Sequence, residues 1–167
     1  NLKTSRVKIE GEGMYVGGIF GFIANSEMLN KLVSRSYVGG PEWANPSVVG
    51  GIGGRIGSTS LQTGMFSEWA SESIVVGNQY VGGLLGEWSS TFNGIHRPLE
   101  SAYAAGSVSI RGQAANYMGG LFGTNYNNAA LTNAYFAGSL VNNATNCAGA
   151  CSVGWLTGSA NAMTRTQ

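Results

Sequence analysis

A pair of glycines set among apolar residues, with another glycine three positions on, recurs along this chain at a nearly constant interval. It reads Tyr15-Val16-Gly17-Gly18-Ile19-Phe20-Gly21, then Val48-Val49-Gly50-Gly51-Ile52-Gly53-Gly54. The third copy is Tyr80-Val81-Gly82-Gly83-Leu84-Leu85-Gly86, and the fourth is Tyr117-Met118-Gly119-Gly120-Leu121-Phe122-Gly123. Successive copies start 33, 32 and 37 residues apart. A second marker, small residues around an aromatic, keeps the same period. Its aromatics are Tyr37, Trp69, Tyr103 and Tyr135, spaced by 32, 34 and 32 residues. Two markers sharing one period describe a single supersecondary unit that buries its apolar face by stacking on its neighbours.

That unit is built from strands. Each glycine pair inside a helix would cost about 1 kcal/mol per residue. Stretches such as Ala104 to Ile110 alternate apolar or small residues with serine, the period of a strand. Glycine inside a strand marks a corner, a bulge or a close backbone approach. Recurring at one position of every unit, it lets equivalent backbones stack without a side-chain clash. The polar segments between markers vary in length, as surface loops do. The expected fold is therefore all-β: a repeat β-solenoid resembling a parallel β-helix, with about four coils of ~33 residues. The coils fall near 7–39, 40–72, 73–106 and 107–141, in one domain over 1–167 that is part of a longer chain. Val7-Lys8-Ile9 stands before Tyr15 as Val108-Ser109-Ile110 stands before Tyr117, so the chain is expected to open partway through a unit. Cys147 to Cys151 falls where a fifth glycine pair is due, and 142–167 is read as a degenerate C-terminal cap.

Composition narrows the function classes. Glycine supplies 27 of the 167 residues without the strict period of collagen, and 43% of residues are hydrophobic against 10% charged. Disorder is excluded by that balance. The net charge is +1 and the nine Lys and Arg are scattered in sequence, which argues against nucleic acid as a partner. No run of 18 apolar residues occurs, so membrane insertion is not expected, and no signal peptide is visible. Cys147 and Cys151 are too far apart in an extended strand to be bridged. A turn through Ala148-Gly149-Ala150 brings them together, and the alternative is two buried thiols. A disulfide here fits an oxidising compartment.

The glycine cores and their companion segments resemble the GLUG motif, a short bacterial repeat. Gly82-Gly83-Leu84-Leu85-Gly86 and Gly119-Gly120-Leu121-Phe122-Gly123 match its core, and Ala102-Tyr103-Ala104-Ala105-Gly106-Ser107 looks like its companion segment. The second copy departs, with Gly53 in the core and no tyrosine before Val49. The resemblance spans residues 7 to 141. It implies a β-solenoid within a large secreted or surface-anchored bacterial protein, adhesin-like or a non-catalytic region of a surface protease. It carries no catalytic residues.

Sites for chemistry are sparse. All eight acids are glutamate, so aspartate-built calcium loops and aspartate-cluster glycan lyases have no counterpart. One histidine and two neighbouring cysteines do not supply a zinc set. His96 stands in the loop Ser89 to Pro98 without a nucleophile-elbow pattern and reads as an exposed loop residue. Glu68 and Glu72 flank Trp69, and Glu87 precedes Trp88; surface placement is the plainer reading for each. No catalytic residue, metal site or cofactor is expected.

The remaining candidate is a ladder of Tyr37, Trp69, Tyr103 and Tyr135. Exposed, it would stack on a glycan; turned inward, it would brace the coils. Tyr15, Tyr80 and Tyr117, interrupted by Val48, read as a second row that packs. The expected function is a non-catalytic, extracellular or cell-surface adhesin-type module touching a glycan or a host or prey surface protein. A structural spacer, or a subunit of an extracellular fibre that stacks on flanking coils or on itself, is the alternative. A polysaccharide-active enzyme is the remote one.

Overall fold

The computed structural model describes residues 2–24, 29–40, 47–57, 66–89, 98–111, 116–126, 130–144 and 151–160. They form a β-solenoid in which every strand pairing is parallel. The first rung contains β1 (Leu2–Glu10), β2 (Tyr15–Gly17) and β3 (Phe20–Ile23). The second has β4 (Leu29–Gly39), β5 (Val48–Gly50) and β6 (Gly53–Ile56). In the third the long strand divides into β7 (Phe66–Ser71) and β8 (Ile74–Gly77), followed by β9 (Tyr80–Gly82) and β10 (Leu85–Trp88). The fourth repeats this as β11 (Leu99–Ala104), β12 (Ser107–Ile110), β13 (Asn116–Gly119) and β14 (Phe122–Asn125). The last comprises β15 (Leu131–Phe136), β16 (Ser139–Asn142), β17 (Cys151–Gly154) and β18 (Thr157–Ala160).

Each rung contributes to three walls. The broad wall holds β1, β4, β7, β8, β11, β12, β15 and β16; a second holds β2, β5, β9, β13 and β17; a third holds β3, β6, β10, β14 and β18. Gly17, Gly50, Gly82, Gly119 and Gly154 are register partners along the second wall. This is the glycine alignment that the period implies, extended by one rung.

The glycines have a steric cause. A Cβ on Gly82 would press on the Leu85 carbonyl, with Gly123 N at 2.6 Å and Leu121 O at 2.7 Å. A Cβ on Gly86 would come within 2.6 Å of Val49 N. The second and third walls therefore touch backbone to backbone, and the solenoid is pinched to a waist there. The second glycine of each pair faces the broad wall instead: Gly51 is against Ser71, Gly83 against Ala104 and Gly120 against Phe136.

The waist separates two cores. On one side Phe66, Trp69, Trp88, Phe122, Leu32, Ile56 and Leu85 are fully buried together. On the other, Val38, Val75 and Val108 of the broad wall face Val49, Val81 and Met118 of the second. The second core is dominated by β-branched valine, which suits a pleated surface.

Two sequence expectations change. The fifth glycine marker lies at Val153-Gly154-Trp155-Leu156-Thr157-Gly158, not at Cys147–Cys151: Ser152 pairs with Tyr117 and Gly154 with Gly119. Within 142–167, β17 and β18 continue the second and third walls, and this copy departs from the pattern in that Trp155 stands in place of the second glycine, 67% exposed. At the start of the chain, Ile9 pairs with Val38 and so falls in line with Val108, two positions from the expected alignment with Ile110.

Candidate functional site

The four-residue ladder does not exist as one row. Tyr103 pairs with Tyr135, and their rings stack at 5.5 Å and 10°. On its other side Tyr103 pairs with Ala70, while Trp69 is the partner of Ala102 and Leu32. Trp69 is fully buried against Phe66, Phe20 and Trp88. Tyr37 pairs with Ile74, in the neighbouring stretch of the wall.

The offset is one of register: Trp69 is one position beyond Glu68, whereas Tyr103 and Tyr135 are two beyond the equivalent Ser101 and Asn133. Lys31, Glu68, Ser101 and Asn133 all adopt φ between 51° and 58°. They occupy one repeat-equivalent position in the middle of β4, β7, β11 and β15. A left-handed residue resets the in–out alternation, so Phe66 and Trp69, three apart, both point inward. The same pattern recurs in β11. Only Asn133 among the four is a residue type that tolerates this conformation readily.

What the broad wall does assemble is an open groove, largely apolar in its exposed lining, with charged groups along it and an aromatic margin. Arg6, Val7, Lys8, Arg35, Ser36, Tyr37, Glu72 and Ile74 line an open groove of about 470 Å³. Arg35 grips Glu72 with both edges: Nη2 donates to Oε1 at 3.0 Å and Nε lies 2.9 Å from Oε2. The Tyr103 hydroxyl donates to the same Oε1 at 2.8 Å. These donors hold the Glu72 carboxyl below its ordinary pKa, the tyrosine hydrogen bond being the larger cause, and the hydrogen bond to Glu72, with some burial, raises the Tyr103 phenol against the pull of Arg35. Lys8 sits 5.8 Å over the Tyr37 ring and pairs with Glu10 at 2.9 Å. Ser36 is almost buried, and its Oγ has no hydrogen-bond partner. The exposed ring of Tyr135 continues the surface from Tyr103 toward the last rung.

A second polar cluster lies where the second and third walls meet. Tyr15, Val48, Tyr80 and Tyr117 are register partners, the row the sequence suggests, and Tyr80 stacks on Tyr117 at 5.5 Å and 12°. Phe22, Arg55, Glu87 and Thr124 form the parallel row on the third wall. Arg55 Nη1 donates to the Tyr15 hydroxyl at 2.6 Å, and Nε lies 3.1 Å from Glu87 Oε1. Its guanidinium also covers the Tyr15 and Phe22 rings at 5.5 and 5.8 Å. Burial pushes the Glu87 carboxyl above its ordinary pKa, against the pull of Arg55. Glu87 is thus a buried residue, where the plain reading of its sequence context was a surface one.

The other expectations divide. Glu68 and Glu72 are exposed beside buried Trp69. His96 lies outside the described residues, as does Cys147. Cys151 is disulfide-bonded. The groove was missed in sequence because its cations look scattered there. Register brings Ser5 beside Arg35 and Lys8 beside Tyr37, which gathers Arg6, Lys8 and Arg35 on one patch. Lys3 is near enough to help lower the Glu72 pKa. Comparisons with family models, with curated proteins and with solved structures give no match for this chain.

Proposed function

We propose that this solenoid is a non-catalytic, extracellular binding module of a bacterial surface protein, and that it takes a glycan along the broad wall. The observation that carries the reading is the stacked Tyr103–Tyr135 pair, exposed at its outer ring and joined through Glu72 to an open groove. A flat aromatic platform buries the apolar face of a sugar ring with little loss of side-chain entropy. The adjoining Arg35, Glu72 and Tyr37 offer the polar contacts that would fix orientation. The GLUG-like repeats suit the same setting, and the disulfide at Cys151 suits an oxidising compartment.

The test is retention of the folded module on immobilised polysaccharides and on host-cell surfaces. Binding that drops in Tyr135→Ala, with an unchanged melting curve, supports the reading. Unaltered retention in that variant removes the platform from it.

One observation favours the structural alternative. Trp155 and Val153 stand largely exposed on the last rung, as do Leu2, Met14 and Phe22 on the first. Apolar faces at both ends suit stacking on flanking coils or on another copy. Concentration-dependent assembly in sedimentation, abolished by Trp155→Ser, would favour a fibre or spacer role.

A further inference from the structure

We infer that the groove selects a negatively charged saccharide, one carrying a carboxylate or a sulfate, with its charged unit at the first-rung end. The inference rests on the glycan reading above and adds the chemical class of the ligand.

Charge is distributed unevenly along the groove. Arg6, Lys8 and Arg35 line it, and Glu72 is the one acid among the lining residues. Glu72 is occupied by Arg35 and Tyr103, and Lys8 is held by Glu10. Lys3 adds a further positive charge whose field reaches Glu72. Arg6 makes no ion pair among the described residues. The local sum of Lys3, Arg6, Lys8 and Arg35 against Glu10 and Glu72 is two net positive charges, +4 and −2, on a chain whose whole net charge is +1. The patch therefore concentrates more positive charge than the molecule carries overall.

The position of Arg6 is specific. It stands in β1 at φ 56°, where the pairing of β1 with β4 shifts between Ser5 and Lys8. The shift marks an irregularity in the edge strand and sets Arg6 among the groove-lining residues. A planar guanidinium with an open fork matches a carboxylate or sulfate in two-point contact. Aromatic and cationic features are also ordered along the axis. Tyr135 and Tyr103 are on the last two rungs of the broad wall, and Arg6, which has no ion pair among the described residues, is on the first. An extended sugar chain lying on that wall would meet ring faces at one end and positive charge at the other.

The experiment is affinity electrophoresis or biolayer interferometry with four probes: polygalacturonate, dextran sulfate, neutral dextran and single-stranded DNA. Salt is varied from about 50 to about 300 mM, because screening weakens contacts with charged polymers. The expected result is that the acidic polymers bind at least about tenfold more tightly than dextran, the size of one charge-assisted contact. That advantage should shrink with salt. Arg6→Asn, a residue type that accepts the same backbone angle, should erase most of the advantage, and Lys8→Gln should reduce it. Tyr135→Ala should weaken acidic and neutral polymers alike. Equal binding of dextran and the acidic polymers, indifferent to Arg6→Asn, would overturn the charge inference and leave the glycan reading standing. Failure of the native module to bind any polysaccharide would overturn both. Binding of single-stranded DNA that depends on Arg6 but not on Tyr135 would overturn saccharide selection in favour of charge alone.

Discussion

The outer face of the broad wall and the pinched waist each hold an arginine–glutamate pair that bridges neighbouring rungs. Arg35–Glu72 and Arg55–Glu87 have similar geometry, at 2.9 and 3.1 Å, and each has a tyrosine attached. Their surroundings differ. The Glu72 side chain is 39% exposed and that of Glu87 is 8% exposed. The hydrogen bond from Tyr103 and the field of Arg35 lower the Glu72 pKa, while burial raises that of Glu87 despite Arg55. Burial, not the partner, sets the sign. The outer pair keeps its charge, its solvent and its access to a ligand. The inner pair is a fixture of the fold, its guanidinium covered by the Tyr15 and Phe22 rings and its carboxylate buried.

The sharpest contrast concerns glycine. Gly82→Val should give the largest effect on the molecule, because the added carbons meet backbone from two rungs and no side chain can move aside. A loss of more than about 3 kcal/mol, roughly 10 °C in Tm for a domain this size, is expected. Gly13→Val is the control, since a Cβ there meets nothing within 4 Å. Equal melting temperatures for the two variants would refute the steric account of the waist.

Next come the ion pairs themselves. Arg55→Met leaves Glu87 buried without its cation, and about 2–3 kcal/mol should be lost at neutral pH, below the full cost of a buried pair because Arg55 is itself about a third exposed. Arg35→Met should leave Tm almost unchanged, because water takes over the Glu72 carboxylate. Chemical denaturation of both variants checks this. Similar losses would mean that the two regions are not distinguished by burial.

The comparison also shows what a sequence of this kind conceals. The glycine alignment was legible, because a glycine at a fixed period implies equivalent positions stacked rung on rung, and Gly17, Gly50, Gly82 and Gly119 are register partners; that two walls meet there was not. The row of Tyr15, Tyr80 and Tyr117 follows, since it is anchored to the same marker. The outer face was half legible. Tyr103 and Tyr135 are paired as their spacing implies, but Trp69 and Tyr37 are not. What the spacing concealed is register: Trp69 stands one position, and Tyr103 two, beyond the left-handed residue that Lys31, Glu68 and Ser101 fill without any glycine to mark it. Period-2 reasoning through such a point places every later side chain on the wrong face. The basic groove was hidden for a related reason. Its cations come from β1 and β4, thirty residues apart at Ser5 and Arg35, and only register joins them.

That left-handed row gives a prediction opposite in sign to the one at the waist. Glu68→Gly relieves a conformation that costs a non-glycine residue about 1–2 kcal/mol, offset in part by the greater freedom of glycine in the unfolded chain. A net gain of about 0.5–1 kcal/mol is expected, with Ser101→Gly behaving alike. Both side chains are exposed, so no packing is lost. Destabilisation by both variants would show that the side chains hold the bend.

The smallest effect separates the two carboxylates by pH. Glu72 has a lowered folded pKa, so its stabilisation is present above the ordinary glutamate value of about 4.3 and is lost as pH falls through the folded value. Glu87 has a raised folded pKa. Its contribution is therefore fully present below about 4.3 and is lost as pH rises through the raised value. Melting curves for the native protein, Glu72→Gln and Glu87→Gln across this range should diverge at opposite ends. Glu72→Gln should flatten the limb below the ordinary glutamate value and leave the slope above it unchanged. Glu87→Gln should remove a decline above that value and leave the acid limb in place. Arg55→Met adds an internal check, because its deficit should narrow as acid protonates the carboxyl it strands. Parallel profiles for the two glutamine variants would mean that both carboxylates see the same solvent, and the distinction between an open outer face and a closed waist would fail.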